Sequence, residues 1–470
     1  MTSLSAGTMS QSVLDGAAAR RGIRLGLRPL QVMMLTPTGL FLAALTAMLL
    51  RPPDVPFYEI DRLALALLVL AVAGRVVLKR QRLLPMERAS WPMIGLTLLA
   101  GASIVQQPFN CQSWSLLIAK FVAPFILFHM AGLVFREERS LRQFEWFSLL
   151  VLAYLSFTAI AFLIGAKSLI FPRFILDDSL GYHADRARGP FLQAVANGVS
   201  LNLLGLLALR AFLRGRIRGF RAASLLALLP VAILATMTRA VWLSFVVSVG
   251  VLIVRSHNRK LRWICVAVTI AGTLVLLIAL SFDDQRRALT ERLRESGPIE
   301  FRQAVYAGGW QMFLEKPFTG WGVNQMPEEL ARHVSGYRKR ELYPHNTYLE
   351  LLIEHGLVGL ALYGWLMWEI LRLGWNSVPR AERDGFLNQQ FHALWPVLLG
   401  VYWANAGVVG MNYQFVNGFL FSLAGMLAAQ QRRLASPVQL ESSRRLRVLR
   451  RAPLHKAYTS DLRQRFPSQC

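Results

Sequence analysis

The sequence predicts an all-α polytopic membrane protein, with about twelve transmembrane helices and a long, partly helical outer loop between the ninth and the tenth. Three observations predict it. Apolar residues fill 54% of the 470 positions and charged residues only 17%, for a mean hydropathy of +0.39; a soluble chain of this length carries more charge. The apolar residues collect into runs that approach the ~20 needed to cross ~30 Å of hydrocarbon, without the alternation of a membrane barrel. The basic residues fall between these runs, which is positive-inside patterning. The net charge of +25 therefore reads as topology, and no nucleic-acid partner is expected.

Taken in order, the chain opens with a polar, Arg-bearing segment, 1–29, that lacks a cleavable signal pattern and leads into a retained span. Transmembrane helices are expected at 30–50, 63–78, 91–106, 114–135, 144–165, 191–213, 222–237, 240–254 and 263–281. The third and eighth are short, and 222–254 is read as two helices divided at Arg239. Residues 166–190 form one outer loop and 282–349 a longer one. The longer loop carries Trp310, Phe313, Phe318, Trp321 and Tyr337, which argues for order. Spans at 350–371, 391–410 and 413–430 complete the bundle, and 431–470 is a basic tail suited to anionic headgroups. Basic clusters at Arg20–Arg28, Lys79–Arg88, Arg136–Arg142, Arg214–Arg221, Arg255–Arg262, Arg372–Arg383 and from Arg432 mark the inner side. The short outer loops 106–113 and 411–414 carry no Lys or Arg, and an even number of spans leaves both termini inside. Cys111, Cys265 and Cys470 are far apart and odd in number, which gives neither a disulfide framework nor metal-ligand spacing.

The most informative stretch is Tyr343 to Leu360, YPHNTYLELLIEHGLVGL. Pro344 holds the chain extended before it, and Thr347 with Glu350 fits a capping box, so a helix is expected to start at Thr347. His345 then sits at the positive end of a helix dipole, which disfavours imidazolium and suits a general base; a loop-to-helix cap is the structural alternative. Glu354 and His355 follow two turns on, with an interfacial rim as the plainer reading of His355. A second constellation is the set of outer arginines: Arg186 and Arg188 in RARGPF, Arg239 in TMTRAVW, and Arg302 in the long loop. A guanidinium at that depth can grip the diphosphate of a lipid carrier with paired hydrogen bonds; snorkelling or a surface ion pair is the alternative. Arg286, Arg287, Arg292 and Arg294, interleaved with Glu291 and Glu295, read as a solvated helix face. Lys120 is an intramembrane charge ahead of Pro124, a functional candidate by default, with reach to the interface as its alternative. Arg75 and Arg210 lie near inner ends and are expected to snorkel. HExxH, GxxxxGK[ST], GxSxG and Asp-x-Asp are all absent, so no metal site or cofactor is expected.

The run His345-Asn346-Thr347-Tyr348-Leu349-Glu350, with Glu354-His355-Gly356 and Gly359-Leu360, resembles the signature of the O-antigen ligase and polymerase superfamily. EKPFTGWGVNQ (Glu315 to Gln325) resembles the Pro-x-x-Gly-x-Gly element that precedes it, Arg188-Gly189 with Asn197 the Arg-Gly…Asn element, and Thr238-Arg239-Ala240 the Ser/Thr-Arg-Gly turn. The resemblance implies a bacterial inner-membrane glycosyltransferase with the long loop on the periplasmic side and both termini cytoplasmic. It implies an undecaprenyl-diphosphate-linked glycan as donor, and lipid A-core (ligase) or another lipid-linked glycan (polymerase) as acceptor, with no metal and with inversion at the anomeric carbon. On that reading His345 is the base, and Arg188 and Arg239 stabilise the leaving diphosphate. Arg186, Arg302, Asn346, Glu354 and Lys120 contribute to substrate binding. Trp310 and Trp321 are candidates for stacking on sugars, with packing as the alternative. A polysaccharide-related transporter is the reading from a different class; the lack of matched halves speaks against it.

Overall fold

A computed structural model describes residues 36–51, 59–78, 86–181, 183–255, 259–281, 290, 297–334, 341–376, 385–410 and 412–435. The basic clusters Arg20–Arg28 and most of Lys79–Arg88, the tail from 436, Arg286, Arg287, Arg292, Arg294 and Tyr337 lie outside the described residues.

The described residues form helices and no strands. Each of the twelve expected apolar segments falls on a helix. We number them α1 (Pro37–Leu49), α2 (Ile60–Leu78), α3 (Ser90–Val105), α4 (Cys111–Val134), α5 (Glu138–Leu163), α6 (Ala194–Leu213), α7 (Gly219–Leu234), α8 (Arg239–Arg255) and α9 (Arg259–Ser281). Two helices of the long loop follow, α10 (Gly297–Glu315) and α11 (Met326–His333), then α12 (Thr347–Asn376), α13 (Gln389–Ala406) and α14 (Gln414–Ala435). Four of these, α4, α5, α6 and α12, are long and apolar enough to cross a membrane, while α1, α3 and α7 are apolar but shorter.

Helix ends follow local chemistry. Thr36 caps α1 through its hydroxyl to the Gly39 N–H at 3.1 Å, ahead of Pro37 at the first helical position. Asn110 caps α4 through the Gln112 N–H at 2.8 Å, and Asn388 caps α13 through the Phe391 N–H at 3.1 Å.

Lipid offers no hydrophobic drive for helices to associate, so close packing and polar contacts between helices hold the bundle. α14 lies tightly on α4, where Gly425 faces the Phe128 carbonyl and Gly418 faces Leu127, leaving no room for a side chain. Asn405 of α13 donates to Ser244 of α8 at 3.0 Å, and Ser248 donates to Asn202 of α6 at 3.3 Å. Contacts of this kind contribute roughly 0.6–2 kcal/mol each. Arg210 does not snorkel. It is fully buried, lies over the Phe386 and Phe391 rings, and donates to the carbonyls of Gly385 and Phe386 and to Asn388. Although it sits in the last turn of α6, its partners, including Glu145 at 3.7 Å, all lie inside the bundle, so it holds the start of α13 instead. Arg75 is exposed in the last turn of α2.

Candidate active site at one end of the bundle

The His345 turn opens α12. Asn346 is the cap: its Oδ1 accepts from the N–H groups of Tyr348 (3.0 Å) and Leu349 (3.2 Å). The Thr347–Glu350 capping box does not form. The Thr347 hydroxyl donates to the Val409 carbonyl at 2.9 Å, and Glu350 turns into the bundle. His345 is half-buried with φ at 47°. A non-glycine residue rarely takes this left-handed conformation, which costs on the order of 1 kcal/mol and clusters at functional sites.

Four segments meet at this end. The Thr347 bond to Val409 ties the His345 turn to the end of α13. The Asn405–Ser244 bond ties that end to the first turns of α8, whose first residue is Arg239. The Ala187 N–H donates to the Ala235 carbonyl at 3.1 Å, joining the RARGPF segment to the Arg239 turn. The rings of Phe191 and Tyr413 stand 6.3 Å apart and close the circuit. Arg239 is exposed at the α8 N-terminus. A cation is disfavoured there by the helix dipole, whereas an anion gains from both the dipole and the guanidinium.

The other arginines are placed differently. Arg188 is buried and donates to the main-chain carbonyls of Ile175 (3.0 Å), Leu180 and Asp177. Burial pushes its pKa down. Gly189 (φ 57°) lets Asn197 pack beneath it, and Asn197 donates to the Ala187 carbonyl at 2.8 Å. The Arg-Gly…Asn element thus fastens the 166–190 loop onto α6, and three guanidinium nitrogens expected to meet a diphosphate are committed to that loop. Arg186 contacts His183 at 3.1 Å and Asp185 at 3.7 Å. Arg302 is exposed on α10, and the described contacts do not join it to His345.

Beneath the His345 turn lies a buried polar cluster. Lys120 Nζ meets Glu350 Oε1 at 2.5 Å and Glu354 Oε2 at 2.9 Å, and Asn412 donates to Glu350 at 3.1 Å. Residues 118–122 of α4 are π-helical; such bulges re-aim side chains and recur at functional sites. Glu350 and Glu354, one turn apart on α12, present both carboxylates to the one ammonium. A cavity of about 50 Å³ adjoins them, lined also by Tyr363, Tyr402 and Asn417 and large enough for water. Lys120 therefore does not reach back to the interface, because its partners are inside the bundle. His355 is not on a rim either. It is fully buried, with neither ring nitrogen hydrogen-bonded and Glu354 Oε2 at 3.9 Å.

The Gly-rich element explains how α12 changes course there. α12 breaks at Gly356 (φ 62°, ψ −162°). Residues 317–322 supply the hydrogen bonds that the break forfeits. Trp321 N–H donates to Ile353 (2.8 Å) and Gly322 N–H to Glu354 (2.9 Å), while Leu357 N–H donates to Pro317 (2.8 Å) and Val358 N–H to Phe318 (3.3 Å). Gly320 and Gly356 sit against the opposing backbone with no space for a Cβ. The loop is thus stitched into the helix beside Glu354 and His355. Trp321 packs, with its Nε1 donating to the Met312 carbonyl at 2.8 Å and Lys316 over its ring at 3.9 Å. Trp310 is 52% exposed. Among the described residues no group of three or more His, Cys, Asp or Glu is arranged to hold a metal ion.

Residues 222–364 match the family model described as O-antigen ligase. The stretch contains Arg239, the stitched Gly-rich element and the His345 turn, and the match supports the resemblance to the O-antigen ligase and polymerase superfamily. It supports a membrane protein of the ligase or polymerase class of glycosyltransferases, with lipid-linked glycans as substrates. No curated protein matches the chain.

Proposed function

We propose that this protein is an inner-membrane glycosyltransferase that moves a glycan from undecaprenyl diphosphate to an acceptor hydroxyl at the periplasmic face, as an O-antigen ligase does, with lipid A-core as the acceptor. What supports the reading is a chain of contacts at one end of the bundle, Thr347 to Val409 and Asn405 to Ser244, that links the His345 turn through the end of α13 to α8, the helix Arg239 opens. The layout that accompanies it has twelve spans, a periplasmic loop at 282–349 and both termini cytoplasmic.

In this mechanism the acceptor O–H gives its proton to the His345 imidazole, and the oxygen attacks the anomeric carbon. The bond from that carbon to the diphosphate oxygen breaks, and the diphosphate leaves with the electron pair. Arg239, at a helix N-terminus, stabilises the charge that develops on it. Arg186 and Arg302 extend the anionic subsite, and Arg188 serves by holding the loop that carries Arg186. Asn346 fixes the turn that positions His345. Lys120 and Glu354 set the polar floor beneath the acceptor.

Purified protein is tested for transfer from undecaprenyl-diphosphate glycan to lipid A-core. His345→Ala is expected to slow transfer about 10²–10⁴-fold, and Arg239→Ala about 10²–10³-fold, with membrane insertion unchanged. Wild-type rates in His345→Ala would remove the base. In a deletion strain, polymer held on the lipid carrier marks a ligase, and single repeats on the core would instead mark a polymerase.

A further inference from the structure

The end of the bundle opposite His345 carries a second cavity, of about 370 Å³, lined by Glu87, Arg88, Glu369, Arg372, Gln431 and Arg432. Three guanidinium groups reach it from three separate elements: Arg88 just ahead of α3, Arg372 near the end of α12 and Arg432 near the end of α14. Arg372 stands near the end of α12 opposite Thr347, beyond the break at Gly356.

Both acids in the cavity are already engaged. Glu87 pairs with Arg432 Nε; Glu369 accepts from Arg372 at 3.3 Å and from Trp365 Nε1 at 3.4 Å. With Arg432 and Arg372 balancing the two acids, the cavity keeps one uncompensated positive charge, that of Arg88, together with the guanidinium N–H groups those pairs leave over, a set that suits an anion with several acceptor oxygens. The depth is marked independently. Trp91, one turn beyond Arg88, is 58% exposed; Trp368 and Trp375, one turn to either side of Arg372, are 53% and 55% exposed. Outward-facing tryptophans sit at headgroup level. From Trp91 a stripe of exposed apolar residues, Leu98 and Val105 at seven-residue spacing, runs along α3, a wall against which an acyl chain can lie.

We propose that this cavity binds the phosphate-bearing headgroup of an anionic phospholipid. Basic pockets between transmembrane helices take such headgroups, and the tryptophans and the α3 stripe favour a lipid over a free anion.

The test uses the full-length protein in phosphatidylcholine nanodiscs containing spin-labelled phosphatidylglycerol, whose immobilised fraction is titrated. Arg88→Gln breaks no ion pair among the described residues and is expected to weaken phosphatidylglycerol binding about fivefold; Arg88→Gln with Arg372→Gln is expected to weaken it about 25-fold. Unchanged thermal unfolding of Arg88→Gln in phosphatidylcholine alone shows that the fold is intact. Equal immobilisation of phosphatidylglycerol and spin-labelled phosphatidylcholine, or wild-type affinity in the double variant, would overturn the proposal. So would displacement of the bound lipid by millimolar inorganic phosphate, which would mark a free-anion site instead.

Discussion

Lys120 meets two carboxylates deep among the helices, and the cluster has one cation for two acids. Taking one partner from a buried ion group costs more than the pair contributes, because a charge is left without compensation; about 3–5 kcal/mol is typical. Lys120→Met is therefore expected to cut the yield of monodisperse protein in size-exclusion chromatography. Adding Glu350→Gln and Glu354→Gln to Lys120→Met should restore much of it, and a Lys120→Met protein as well behaved as wild type would refute the accounting. The sequence singled out Lys120 as a charge within an apolar run but not its partners, which stand 230 and 234 residues away. The same limit explains Glu350, whose spacing fits a capping box until Lys120 claims its carboxylate. It also explains Arg188, whose position at a loop end does not reveal that three loop carbonyls converge on it. The placement of His345 at a helix start and of Arg239 at a helix-opening turn was legible because local sequence sets both.

At the scale of elements, the stitch between residues 317–322 and the broken α12 couples the long loop to the polar cluster. A Cβ on Gly320, already at φ 70°, would meet the Glu354 carbonyl carbon and the His355 nitrogen at 2.5 Å. Backbone atoms cannot yield as a flexible side chain can, so Gly320→Ala is expected to cost about 1–3 kcal/mol or more and to lower both the unfolding temperature and transfer. Gly364→Ala, with nothing within 4 Å of the new Cβ, is the control that should behave as wild type. The loop helices carry a pH-dependent contact as well. His333 joins the Glu329 carbonyl at 2.8 Å and Glu315 at 2.9 Å, and these bonds, the backbone one first, raise its pKa above 6.5. A raised histidine pKa stabilises the fold fully below the unfolded value, and the contribution is lost as pH climbs through the folded value. Protection of residues 297–334 from limited proteolysis should therefore fall as pH rises from 6 toward 8, and His333→Gln should flatten that trend. The helices themselves were readable from hydropathy, with ends shifted by a few residues. The break at Gly356 was hidden, because one glycine in a helical run looks like many others until a second glycine-rich strand of chain is pressed against it.

At the scale of the whole molecule, every catalytic assignment depends on which side of the membrane the His345 end faces. The contacts fix which residues share that end. Gln325 donates to Gln107 at 3.0 Å, and the Val323 N–H donates to Ser103 at 3.3 Å, so the α3–α4 connection lies beside the helices of the long loop. Cys111 follows that connection and is exposed, whereas Cys265 is 2% exposed within α9. The native thiols thus report orientation without engineered tags. With Cys265→Ala and Cys470→Ala in place, Cys111 is the sole thiol, close to the His345 end. A membrane-impermeant maleimide added to spheroplasts should label it at once, with no gain on permeabilisation, if that end is periplasmic. The reciprocal protein, retaining Cys470 alone, should be labelled only after permeabilisation. Reversal of the two patterns would put His345 and Arg239 in the cytosol, away from any periplasmic acceptor, and would refute the proposed transfer while leaving the helical packing untouched.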